Sequence, residues 1–147
     1  METYLIPLQR IAAPAGRALI ASLFLISGIN KIAGYVATVG YMEWIGVPGA
    51  LLPLVILLEV GGGLLLLIGY KTRLVALLLG GFTLITGVLF HLLPSYGLDG
   101  LEAQNQTIHF LKNLAVAGGL GVVFANGAGG LSIDNWQPAR RSAWKSA

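Results

Sequence analysis

The chain has 147 residues, of which 56% are hydrophobic and only 10% charged, and its mean hydropathy is +0.80. That is too apolar for a water-soluble domain of this length, so the chain reads as a membrane protein. It has no cysteine, which excludes disulfides, thiolate metal sites and haem attached through a C-x-x-C-H motif. Its net charge of +3 comes without a dense basic patch interleaved with aromatics, so no nucleic-acid partner is expected.

Four apolar runs approach or exceed the roughly 17 to 25 residues that cross a bilayer. They cover residues 11–32, 47–69, 74–93 and 108–125. The predicted fold is all-α: one domain over 1–147, an integral membrane four-helix bundle with a short interfacial helix between spans one and two. A cytoplasmic tail is expected from about 126 to 147.

Arg10 ahead of an apolar run has the look of a secretory signal. No small-residue cleavage site follows cleanly and three more spans do, so the segment is taken as a retained helix. In it Arg17, Ala21, Phe24, Gly28 and Lys31 recur at helical spacing and share one face. Arg17 is expected to snorkel to the inner headgroups. Residues 33–47 place Tyr35, Tyr41 and Trp44 beside Val36, Val39, Met42 and Ile45, the pattern of a short helix lying in the headgroup region.

Pro48 and Pro53 lead into the second span, which carries Glu59 and then Gly61, Gly62 and Gly63. Small residues let a neighbouring membrane helix approach closely. A short turn with Lys71 and Arg73 precedes the third span, which sets Gly80, Leu84, Gly87 and His91 on one face. Residues 94–107 read as a loop with Asp99 and Glu102 but no basic residue. Gln104, Asn105 and Gln106 close it, and His109, Lys112 and Asn113 fall in the opening turns of span four. Gly118, Gly119 and Gly121 offer small packing surface, and the glycines of 126–130 stop the helix. The tail, with Trp136, Arg140, Arg141, Trp144 and Lys145, suits the headgroup zone.

With both termini cytoplasmic, Arg10, Arg17, Lys71, Arg73, Arg140, Arg141 and Lys145 fall on the inner side, as the positive-inside tendency favours. Lys31 and Lys112 are the exceptions. Glu59 is the residue the others answer to, because a charge at the centre of a membrane helix costs about 2.5 to 3.5 kcal/mol and needs a partner. By helix rise, Lys31 lies roughly 21 Å above Arg17, Lys112 roughly 20 Å above Ala125 and Glu59 roughly 15 Å above Gly69. Either lysine can therefore reach the carboxylate. The predicted ligand-binding set is Lys31, Glu59, His91, His109, Lys112 and Asn113, with Asn30 and Gln106 at comparable height. Two lone histidines without a spacing motif do not make a metal site, and none is expected. A pair that only fixes helix register is the competing reading of Glu59.

The run FLISGINKIAGY, the segment EVGGGLLLLIGYKTR, and QTIHFLKNLAVAGGL followed by GAGGLSID resemble the DoxX family of small prokaryotic four-helix membrane proteins. The similarity covers about residues 14 to 135. The matching positions are Gly28, Lys31, Glu59, Gly63, Gly69, Arg73, Phe110, Lys112, Asn113, Gly119, Ser132 and Asp134. The resemblance implies a bundle in the bacterial or archaeal cytoplasmic membrane and a link to quinol oxidation or thiosulfate:quinone oxidoreduction. No cofactor is expected to be intrinsic to the chain. A bound quinone is the ligand implied, with electrons from a partner oxidoreductase subunit. The alternative is a non-catalytic scaffold or lipid-like ligand-binding protein. A homo-oligomer, and catalysis by the chain itself, stay open.

Overall fold

A computed structural model of the chain describes residues 5–136. Apolar length sets the architecture. The helices are α1 (Leu5–Ala33), α2 (Tyr35–Trp44), α3 (Leu52–Ile68), α4 (Thr72–Gly87), α5 (Leu93–Ser95) and α6 (Gly100–Asn126). A 3-10 turn at Gly49–Leu51 leads into α3, and a π turn at Val88–Leu92 joins α4 to α5. Among the described residues four segments are long and apolar enough to cross a membrane: Ile11–Ala33, Gly49–Ile68, Thr72–Ser95 and Gly100–Asn126. The described residues contain no strand, so the expected all-α bundle holds, with α2 as the short helix between the first two spans.

The bundle is built from two pairs. α1 packs along α3 and α4 along α6, with sparser contact between the pairs. Absent side chains make the first pair close: a Cβ on Gly28 would lie 2.6 Å from Val60, and one on Gly63 would lie 3.0 Å from Leu25. In the second pair Gly87 is covered by Asn113, whose Cβ would lie 3.1 Å from a Cβ there. The pairs join through Ala21, Phe24, Leu66, Val75, Ala76, Leu79 and Leu120, all buried. That core occupies only the half of the bundle nearest Arg17.

This end is closed by the C-terminal segment. α6 stops at Gly127, in the left-handed region at φ +80°, and residues 127–136 fold back over the α3–α4 turn. Ile133 N–H donates to Ile68 O at 3.1 Å and Asp134 N–H to Gly69 O at 2.9 Å. The Asp134 carboxylate accepts from the backbone N–H groups of Lys71 (2.7 Å) and Thr72 (2.8 Å), satisfying donors that the start of α4 leaves free. Desolvation alone would push this carboxyl up. The hydrogen bonds from Thr72 and Lys71, with the Arg17 charge, outweigh it and hold Asp134 below its ordinary value of 3.8.

Arg17 does not snorkel. It is 2% exposed, and its guanidinium donates to Leu66 O (3.1 Å), Ala128 O and Leu131 O (3.1 Å). The end of α3 and the strap after α6 supply carbonyls with spare lone pairs, Leu66 O already accepting from Gly69 N–H, and a planar five-donor group bonds several of them at once. One further expectation is corrected. Residues 100–107 are the first two turns of α6, not loop, with Asp99 preceding the helix in extended conformation and Glu102 in its first turn. The calls on Arg140, Arg141, Trp144 and Lys145 lie outside the described residues.

Candidate functional site

At the opposite end the two pairs part, and a cavity of about 870 Å³ lies between them. Its floor is the upper edge of the core, at Phe24 and Phe82. α2 borders it through Thr38, Tyr41 and the buried Met42. Tyr41 stacks on Trp44 and packs against Phe90, with its hydroxyl donating to Phe90 O at 3.4 Å. The size matches cavities that take small organic ligands, which run from about 300 to 1,000 Å³.

One wall, from α1 and α3, carries an ionic cluster. Ser27 and Lys31 are four residues apart on α1 and so lie one above the other on one face. Lys31 Nζ donates to Ser27 Oγ at 2.7 Å and to Glu59 Oε1 at 2.9 Å, and lies 2.9 Å from Oε2. Ser27 Oγ–H donates in turn to Glu59 Oε1 at 3.2 Å, which closes the ring. Glu59 is 4% exposed, whereas the Lys31 side chain is 27% exposed and meets the cavity. The partner of Glu59, left open by the sequence, is thus Lys31. Gly28 makes this register attainable: its missing side chain seats α1 directly over Glu59 and Val60.

The facing wall, from α4 and α6, carries His91, Asn113, Thr83, Thr86 and Lys112. His91 sits in the π turn, a departure from regular helix of the kind frequent at functional sites. Its Nδ1 lies 2.8 Å from Gln106 Oε1, an oxygen that can only accept, so Nδ1 is the donor of this pair. Thr83 and Thr86 donate to the carbonyls of Leu79 and Phe82, leaving oxygen lone pairs on the cavity side. The Asn113 amide has no side-chain hydrogen bond among the described residues.

The predicted set is therefore divided. Lys31, Glu59, His91, Lys112 and Asn113 all line the cavity. Lys112 does so from an exposed position and donates to His109 Nδ1 at 3.2 Å rather than to Glu59. His109 is exposed and lines no part of the cavity, though its ring lies 5.2 Å from that of His91. Ser27, Thr83 and Tyr41 were not anticipated. A serine four residues before Lys31 was a legible signal for the first. The other two depend on where the pairs part, which no local pattern encodes.

Comparisons with known proteins agree with this architecture. A family model described as DoxX matches residues 12–92. The chain is 45% identical over 127 residues to Inner membrane protein YqjF of Escherichia coli (strain K12), covering 86% of this chain and 92% of that protein. It is 32% identical over 120 residues to Inner membrane protein YphA of the same strain, covering 80% and 84% respectively. No solved structure matches it.

Proposed function

We propose, from the premise that this chain belongs to the DoxX family, that its cavity binds a lipid-soluble quinone and that the chain serves a partner oxidoreductase as a membrane subunit. The observation that carries this is one apolar cavity of about 870 Å³ with polar groups on two facing walls. A quinone ring asks for an apolar slot and hydrogen-bond donors toward its two carbonyl oxygens. Lys31 has three N–H groups, and its ties to Ser27 and Glu59 leave one for the cavity. The Asn113 amide supplies donors from the other wall, and His91, when neutral with Nδ1 as donor, accepts a proton at Nε2 beside it.

A bound quinone would supply two-electron, two-proton chemistry inside the lipid phase. The residues' part is to hold and orient the ring and to keep charge balanced around it. Glu59 fixes Lys31, and Lys31 presents the remaining donor. Electrons are assigned to a partner, since a chain without cysteine holds no thiolate-ligated centre. Positive-inside counting over Arg17, Lys71 and Arg73 favours a cytoplasmic closed end, with the cavity in the outer half.

A second reading, in which the cluster only joins α1 to α3, draws support from the closure of the Lys31–Ser27–Glu59 ring. The test is to purify the protein in mild detergent from quinone-containing membranes and quantify extracted quinone. The double variant Lys31→Met with Glu59→Gln removes both charges together and so avoids an unpaired buried one. Near-stoichiometric quinone in wild type, at least fivefold less in the double variant and wild-type content in Lys112→Met is the expected result. Unchanged quinone content in a thermally weakened double variant overturns the proposal in favour of the structural reading.

A further inference from the structure

The cavity does not end at its lining of polar groups. A second, apolar groove of about 290 Å³ runs between α3 and α4 and shares Leu54 and Leu58 with the cavity, so the two adjoin along that edge of α3. From there it follows one face of α3 through Gly61 and Gly62 to Leu65, and meets Val75 and Leu78 of α4. Eleven residues of helix separate Leu54 from Leu65, a path of roughly 16 Å. Its flank is open to the membrane, since Leu54, Leu57 and Leu78 are 62%, 68% and 51% exposed.

We infer that this groove is the track for the tail of the molecule whose headgroup occupies the cavity, and that its occupant is a single linear isoprenoid or alkyl chain of at least 16 Å. The inference rests on the reading of the cavity given above and adds the ligand's second half. Its shared edge with the cavity distinguishes the groove from an ordinary furrow filled by bulk lipid, because Leu54 and Leu58 border a hollow lined by polar groups on one side and the groove on the other. A headgroup with no tail leaves the groove to the bilayer. A two-chained lipid has one chain more than the track holds.

The two glycines differ, and the difference makes the inference testable. A Cβ on Gly62 would meet Leu79 at 3.0 Å, inside the α3–α4 contact, so that glycine serves packing. A Cβ on Gly61 would meet only Leu57 Cδ1, at 3.9 Å. A Cβ at Gly61 therefore enters the groove without touching α4, which makes Gly61→Leu the substitution chosen to fill it.

The experiment uses the full chain in nanodiscs and two photoreactive probes. One is a benzoquinone with a linear tail carrying a terminal diazirine; the other carries the same tail on a neutral hydroxyl head. Cross-links are mapped by peptide mass spectrometry. The quinone probe is expected to label residues 54–78 preferentially, and Gly61→Leu to reduce that labelling at least fivefold with an unchanged melting temperature. Groove labelling by the hydroxyl probe without the quinone probe keeps the track and removes the quinone headgroup. Labelling spread evenly over lipid-facing positions, such as Leu111, Leu114 and Val122 of α6, overturns the track, as does wild-type labelling of Gly61→Leu.

Discussion

α1 carries Arg17 toward one end of the bundle and Lys31 toward the other, and the two are used in opposite ways. Arg17 is sealed against carbonyl oxygens from α3 and the segment after α6, with Asp134 beside it and the apolar core directly above. Lys31 meets a carboxylate and a hydroxyl on one side and an open cavity on the other. A guanidinium with no acid–base role suits permanent satisfaction of backbone groups. An ammonium with one unspent donor suits a ligand that comes and goes. The molecule is thus closed at the end where its chain doubles back and open where its helix pairs part.

The sharpest way to break this contrast is Arg17→Met. It leaves Ala128 O and Leu131 O without their donor and takes a second bond from Leu66 O, and a loss of roughly 3 to 5 kcal/mol is expected, read as a large drop in melting temperature in detergent. Lys31→Met alone strands Glu59 and should cost nearly as much, whereas adding Glu59→Gln should restore most of it. Failure of the second change to rescue would mean that the ion pair is not what couples these positions. Gly69→Ala comes next: the residue sits at φ +69°, its Cβ would lie 2.5 Å from Ser132 and 3.1 Å from the Arg17 guanidinium, and about 2 kcal/mol is expected.

The smallest effect sharpens the comparison through pH. Asp134→Asn should cost about 1 kcal/mol at neutral pH, as for loss of a helix cap. Because the folded-state carboxyl titrates below its ordinary value of 3.8, its contribution is complete above that value. It fades as the pH falls through the lower folded value. Melting temperature followed from pH 6 to 2 should decline at the acid end in wild type, and that portion of the decline should vanish in Asp134→Asn.

Periodicity and apolar length were enough to read four spans, α2 and the isolation of Glu59, because each is a property of one helix. They could not choose between Lys31 and Lys112, since that depends on which helices pair, and pairing is decided by where Gly28 and Gly63 let α1 seat on α3. The early start of α6 was legible in principle: Asp99 with Glu102 three residues later is the pattern of a capping box, although no side-chain cap bond forms. Arg17 was misread for the reverse reason. Its acceptors, Leu66 and Leu131, are 49 and 114 residues away, beyond any window that hydropathy examines.

That long reach has a consequence for biogenesis. Proteins form from their N-terminal end as they are made, so α1, α3 and α4 reach the bilayer before the groups that cap them exist. Until Ala128, Leu131 and Asp134 leave the ribosome, a nascent bundle carries an arginine with only α3 to hold it and a third span whose first amides point at nothing. A product that stalls short of the strap therefore keeps a half-satisfied arginine and an uncapped third span.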